Sequence, residues 1–113
     1  MNYSDIYNYH SHSELTTRAQ LARIYANAYT DEPLPMFNGE TGLHQLLDKS
    51  GVLTIGQMRT LARYAITSAM TSVSNGTDKH FWFLFAPYLE NAGNYSCFHT
   101  DSMPYPAYSV LAN

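Results

Sequence analysis

Residues 50–59, Ser-Gly-Val-Leu-Thr-Ile-Gly-Gln-Met-Arg, contain the clearest structural signal in the sequence. Thr54 is followed three residues later by Gln57, which is the spacing of a capping box at the start of a helix. Leu53 and Met58 occupy the positions of a hydrophobic staple, in which two apolar side chains fix the chain as it enters a helix. The stretch therefore predicts that a long helix begins just after Thr54.

The residues that follow predict a helix with two different faces. Helical spacing brings together apolar residues that we expect to face a core, namely Met58, Leu61, Ala62, Ala65, Ile66, Ala69 and Val73. The opposite face carries Thr60, Tyr64, Thr67, Ser68 and Thr71, and none of these is charged. Because a solvent-facing helix surface normally favours Lys and Glu, this uncharged face is expected to be covered in part by protein.

Two further helices are predicted before the long one. Thr17 and Gln20 repeat the capping-box spacing and predict a helix that reaches about Tyr29, with its core side formed by Leu21, Ile24, Tyr25 and Ala28. Leu43, Leu46 and Leu47 share one face of a predicted short helix over residues 41–49, which Gly51 is placed to terminate.

The strands are predicted mainly in the second half. Residues 80–85 form an aromatic run that predicts a strand buried on both faces, and residues 95–99 a partner strand across the turn at 91–94. The tail predicts an extended proline segment followed by an edge strand. Residues 1–13 suit either an ordered arm or an edge strand. The fold class is therefore α+β, a small single domain over residues 1–113 with about three helices followed by a two- or three-stranded antiparallel sheet.

The composition is poor in charge. Charged residues make up 13% of the 113 residues, against about 25% in a typical soluble domain, while tyrosine occurs ten times. The net charge of −3 does not suit general binding to a phosphate backbone. The sequence shows neither a signal peptide nor an apolar run long enough to span a membrane, and its one cysteine suits a reducing compartment. We therefore expect a cytoplasmic protein without a membrane partner.

Four residues are candidate metal ligands. His10 and His12 on one side, and Cys97 and His99 on the other, supply the side-chain types of a tetrahedral zinc site. Their loose spacing favours an ordinary role for each, so a zinc-binding domain or small metal-dependent enzyme is an alternative only. Cys97 and His99 on a strand would be about 6–7 Å apart, too far for direct proton transfer. We expect no enzyme activity and no cofactor.

Residues 46–54 also resemble a helix-turn-helix superficially, which makes a DNA-binding protein the second alternative. Only Arg59 and Arg63 would supply positive charge on its second helix, which argues against nucleic acid as the partner.

The hypothesis that the composition favours is a non-enzymatic protein-binding module. Tyrosine gives a large contact area at low entropic cost, and the centres of interfaces are poor in charge. The expected binding residues are Arg59, Arg63, Tyr64, Thr67 and Thr71. The size suggests an inhibitor of a larger protein or complex, of the kind that phages use to take over a host or evade its defences. A homodimer, or cover by the chain itself, would equally explain the uncharged face.

Overall fold

In the computed structural model, the described residues are 6–12, 14–28, 32, 34–47, 52–84, 86, 88–98 and 103–112. They form three helices, α1 (Leu15–Ala28), α2 (Ile55–Ser74) and α3 (Pro106–Ala112). They also form six strands: β1 (Tyr7–Ser11), β2 (Met36–Thr41), β3 (Gln45–Leu46), β4 (Lys79–Trp82), β5 (Leu89–Glu90) and β6 (Gly93–Asn94). The α+β class is confirmed, but helices and strands alternate along the chain.

The strands form two three-stranded sheets. The first has the order β1-β2-β4, and β1 is parallel to β2 with a register shift between Tyr9 and His10. Parallel neighbours need a crossover connection, and α1 provides it. The second sheet, with the order β3-β6-β5, is antiparallel. The predicted antiparallel sheet is therefore only partly confirmed.

The chain divides into two compact units, residues 1–41 with 68–81 and residues 42–67 with 82–113. Both α2 and β4 contribute residues to each unit. The single domain over residues 1–113 stays a prediction.

The second unit has an apolar core, and the start of α2 is fixed to it as predicted. The backbone N–H of Thr54 donates to Gln57 Oε1 at 2.9 Å, and the N–H of Gln57 donates to Thr54 Oγ1 at 3.3 Å. This reciprocal pair is the predicted capping box. Leu53 lies inside the core and Met58 packs against it, as a hydrophobic staple requires. The buried core residues are Leu53, Leu61, Cys97, Tyr105 and Ala107.

Apart from Met36, the first unit buries mainly small and polar side chains. α1 turns Ala19, Ala22 and Ala26 inward, while Leu21, Ile24, Tyr25 and Ala28 are exposed. The predicted core side of this helix is wrong, because the buried face consists of alanines, whose hydrophobic signal is weaker than that of the larger residues. α1 begins at Leu15, so Thr17 lies within the helix and the predicted capping box with Gln20 is wrong too.

The buried side of α2 also differs from the prediction. Leu61 and Ala65 are buried, but the buried side continues through Ser68 and Ser72, and Ile66 and Val73 are exposed. The predicted buried stripe was misplaced because serines occupy buried positions of α2, whereas some of its larger apolar residues are exposed.

Several strand and tail predictions were wrong. Residues 41–47 contain the end of β2 and all of β3 rather than a helix, because cross-strand pairing with β6 overrides the local leucine pattern. Residues 48–51 lie outside the described residues. β4 ends at Trp82 and leaves Phe81 exposed, so it is not buried on both faces.

Near the C-terminus, β6 occupies residues 93–94, and residues 95–98 of the predicted strand form none; Phe98 makes an isolated bridge to Pro104, and residue 99 lies outside the described residues. The tail contains α3 rather than an edge strand. It begins at Pro106, a residue that suits the first helical position because its missing N–H is not needed there. Of the two alternatives for residues 1–13, β1 is an edge strand; residues 1–5 and 13 lie outside the described residues.

Candidate binding surfaces

The exposed side of α1 carries an apolar stripe next to its polar residues. Leu21, Ile24 and Tyr25 are 44%, 61% and 48% exposed, whereas the alanines of the same helix are buried. Exposed apolar residues that cluster on one element mark interaction sites more often than singly scattered ones do. We call these three side chains the α1 surface.

The part of α2 that belongs to the first unit repeats this arrangement. Ser68 and Ser72 are buried, while Met70 and Val73 are 66% and 69% exposed. Met70 and Val73 line a shallow apolar concavity of about 430 Å³ together with Ala69 and Ser74. Both helical segments of this unit thus bury small residues and present large apolar ones.

A groove of about 320 Å³ runs between β1 and α1, and we call it the β1–α1 groove. Residues 7–10 of β1 line one side, and Arg18, Leu21 and Tyr25 are among the α1 residues that line the other. At one end the rings of Tyr7 and Tyr25 stack with their centroids 6.5 Å apart. Because a helix that returns the chain between parallel strands runs opposite to them, His10 and Arg18 lie at the other end. The groove therefore has an aromatic end and a polar end.

Acidic side chains lie beside the basic and imidazole side chains around the groove. Arg18 Nε lies 3.8 Å from Glu14 Oε2, and both side chains are more than half exposed. Glu40 on β2 lies between two histidines, with Oε2 3.8 Å from His10 Nδ1 and Oε1 3.0 Å from His12 Nε2. An exposed pair such as Arg18 and Glu14 contributes about 0–1 kcal/mol.

The predicted binding residues lie on α2. Arg59, Arg63 and Thr67 are exposed, and the Thr67 hydroxyl donates to the Arg63 carbonyl at 2.8 Å. Tyr64 is half-buried, and its ring meets that of Trp82 edge-on at 5.9 Å. Thr71, in the first unit, is half-buried. Part of the uncharged face is thus covered within the chain, at Tyr64 and at the buried Ser68.

The candidate metal ligands are not brought together among the described residues. His10 and His12 belong to the first unit and contact Glu40, whereas Cys97 is buried in the second. His99 lies outside the described residues. Within the part of the chain that the structure describes, no three His, Cys, Asp or Glu side chains could hold a metal ion together.

Cys97 is also unsuited to nucleophilic chemistry in this environment. Burial raises the pKa of its thiol to about 12. The thiol therefore stays protonated near neutral pH, while the nucleophile and metal ligand is the thiolate.

A buried polar cluster in the first unit was missed by the sequence analysis. His80 Nδ1 lies 2.8 Å from Ser72 Oγ, and Asn38 Nδ2 donates to Ser72 Oγ at 3.3 Å and to Ser11 Oγ at 2.8 Å. Burial lowers the pKa of His80. Ser72 is only 2% exposed, which leaves no room for a substrate at its hydroxyl. No local spacing could reveal this cluster, because it joins β1, β2, α2 and β4.

Comparison of the chain with protein-family models, curated proteins and solved structures found no match. None of the helices among the described residues has the length and apolar character needed to cross a membrane. Function is therefore inferred from the exposed surfaces alone.

Proposed function

We propose that the protein is a small non-enzymatic protein-binding module that docks its partner on the α1 surface. The observation that carries the proposal is the inverted arrangement of α1, with alanines inside and Leu21, Ile24 and Tyr25 outside. An isolated helix gains nothing from exposing these side chains to water. Because each is only about half exposed, burial of its remaining exposed area by a partner would contribute about 1 kcal/mol.

Arg59, Arg63 and Thr67 of the second unit supply a further contact surface in this proposal. The helix around them contains no acidic residue, so they suit an acidic part of a partner. The small size favours an inhibitor that occludes a larger cytoplasmic protein or complex, including the phage-type role described above. Zinc binding and DNA binding are the weaker alternatives, since no geometry among the described residues supports either.

The proposal is tested by affinity capture from an extract of the organism that encodes the protein. Wild type is compared with Ile24→Asp, which places a charge in the α1 surface, and with Thr16→Asp, which changes an exposed polar residue of the same helix. We expect one protein to be captured by wild type and Thr16→Asp and lost by Ile24→Asp. Thermal unfolding should be similar for all three, because both positions are exposed.

Equal capture by wild type and Ile24→Asp would contradict the proposal. A partner that Ile24→Asp retains but Arg59→Gln loses would instead place the binding site on α2.

A further inference from the structure

The part of α2 that belongs to the second unit exposes two isoleucines and two arginines along one line. Ile55, Arg59, Arg63 and Ile66 are all exposed, and all four lie within residues 42–67 of that unit. At about 100° per residue, they fall within an arc of about 80° around the helix. The isoleucines are about 16 Å apart along the helix axis, and the arginines lie between them. We call these four side chains the α2 surface.

The two arginines of the α2 surface lack an acidic neighbour on their own helix. α2 contains no Asp or Glu, and neither guanidinium has an ion-pair partner among the described residues. A guanidinium keeps its positive charge throughout the pH range in which proteins function. Arg59 and Arg63 therefore differ from Arg18, which lies beside Glu14. They are two unpaired positive charges, four residues apart on one flank of a helix.

The isoleucines at the two ends of the α2 surface favour a protein over a nucleic acid as its partner. Ile55 and Ile66 are stabilised by apolar contact, at about 25 cal/mol per Å² of area removed from water, and a phosphate backbone offers none. The net charge of −3 also opposes the approach of a polyanion. The chemistry that fits the α2 surface is therefore a segment with both carboxylates and apolar side chains.

A second copy of the chain does not supply this chemistry through the same surface. In a symmetric dimer the same patch of both subunits meets itself. Because α2 contains no acidic residue, two α2 surfaces in contact would give neither Arg59 nor Arg63 a carboxylate, in a parallel or an antiparallel arrangement. Like charges brought together in an interface are repelled. A foreign acidic segment has neither disadvantage.

We infer that the α2 surface binds an acidic amphipathic helix of the partner protein. This inference rests on the proposed protein-binding function and names the chemistry of the second contact surface. A helix suits the α2 surface because its side chains recur with the same rise and period as those of α2, so the two pack along each other at a small crossing angle. Each carboxylate accepts two hydrogen bonds from one guanidinium, which is the preferred geometry of such pairs.

The spacing of the α2 surface defines the sequence of the partner helix. Ile55 and Ile66 are eleven positions apart, and Arg59 and Arg63 are four apart between them. A helix packed along α2 has the same rise of about 1.5 Å per residue. Its contact face should therefore carry two apolar residues about three turns apart, with two Asp or Glu about one turn apart between them.

The test uses a display library of one helical peptide of about 20 residues, a length that holds a helix, with the positions of one face randomised. It is selected against the purified full-length protein. The decisive variant carries both Arg59→Gln and Arg63→Gln, which remove the charges but keep long polar side chains. Arg18→Gln is the matched control, because Arg18 is an exposed arginine of another helix. Thermal unfolding should be similar for these proteins, since all three positions are exposed.

We expect wild type and Arg18→Gln to enrich helices with two acidic residues one turn apart between apolar ones. Binding of the best helix should fall at least about tenfold in the double variant, which loses two charge-assisted pairs. Binding to wild type should also weaken as the salt concentration rises from about 0.05 M to about 0.5 M, because exposed charges are screened. Ile24→Asp should bind this helix as wild type does, because Ile24 lies on α1.

Other outcomes would overturn the inference. Absence of any enriched helix, enrichment of helices without acidic residues, or equal binding by the double variant would each contradict it. The proposed function would still stand if the partner captured from an extract is lost by Ile24→Asp. A random-sequence RNA oligonucleotide that wild type binds in place of any helix, and that the double variant loses, would assign the arginines to phosphate. A dimer that the double variant converts to a monomer would assign the α2 surface to a second copy.

Discussion

His80 shows how a single buried side chain can make stability depend on pH. Its hydrogen-bond neighbours, Ser72 and Asn38, are uncharged, so nothing in this cluster compensates an imidazolium for its lost hydration. Burial accordingly lowers its pKa from the ordinary value of 6.5. The ring is therefore neutral in the folded protein near neutral pH. Its Nε2 atom is buried without a hydrogen-bond partner among the described residues.

We predict that acid destabilises the protein through His80. Because the folded pKa lies below the unfolded one, the unfolded state binds the proton more readily, and folding stability falls as the pH drops below about 6.5. Above that pH, His80 contributes no slope. His80→Asn, which keeps a hydrogen-bonding group near Nδ1, should flatten the dependence. The midpoints of urea unfolding, compared between about pH 8 and pH 5, measure this pH dependence of stability.

His10→Gln is the matched control for that experiment, because His10 is an exposed histidine. It should keep the acid slope of wild type. If His80→Asn and wild type lose stability equally between those pH values, the slope comes from another group.

Residue-scale features were predictable from sequence only where they are local. Thr54 and Gln57 are three residues apart, and their capping box formed as predicted. Asn38, Ser72 and His80 come from three separate elements, so no spacing in the chain points to their contact. The α1 surface was missed for a different reason. Leu21, Ile24 and Tyr25 have the helical spacing of a core face, and spacing alone cannot tell a buried stripe from a binding one.

At the scale of elements, the β5–β6 hairpin contains a position with avoidable strain. Its two turn residues, Asn91 and Ala92, have positive φ values of 48° and 60°. Positive φ at both central residues is typical of a type I′ turn, for which Asn-Gly is the preferred sequence. Asparagine tolerates this region, whereas the alanine Cβ is crowded against the backbone there.

We predict that Ala92→Gly stabilises the protein by up to about 1 kcal/mol, because glycine adopts positive φ without that crowding. Asn91→Gly is the matched control and should give little or no gain, since the asparagine is already tolerated. Chemical denaturation of the three proteins measures the difference. A loss of stability in Ala92→Gly would mean that the entropy of the unfolded glycine outweighs the strain.

Helices and strands were predicted correctly where the residues that specify them are adjacent in sequence. α2 begins at Ile55, directly after its predicted cap, because the capping residues are adjacent in sequence. The short strands β3 and β6 were misplaced because each consists of only two residues. β3 pairs with β6, and β6 also pairs with β5. Such pairing depends on contacts distant in sequence, and the three leucines near β3 gave a stronger local signal for a helix.

At the scale of the whole molecule, a sequence poor in charge buries several polar side chains and exposes several large apolar ones. The first unit buries hydroxyl and amide side chains at Ser11, Asn38, Thr41 and Ser72 and exposes large apolar ones on both of its helical segments. The second unit has an ordinary apolar core around Leu61. A homodimer and a foreign partner would both cover the exposed apolar side chains, but they predict different solution masses for the purified protein.

We predict that the purified protein is a monomer of 12.8 kDa in solution. The proposed function assigns the α1 surface to a foreign partner, so this surface should stay uncovered in the purified protein, where that partner is absent. Light scattering over a range of concentrations measures the mass. A dimer that Ile24→Asp converts to a monomer would show that a second copy covers the α1 surface, and the proposed foreign partner would then be wrong. A dimer that Ile24→Asp leaves intact would place self-association on another surface, with Leu46 and Leu89 of the second sheet as the exposed apolar candidates.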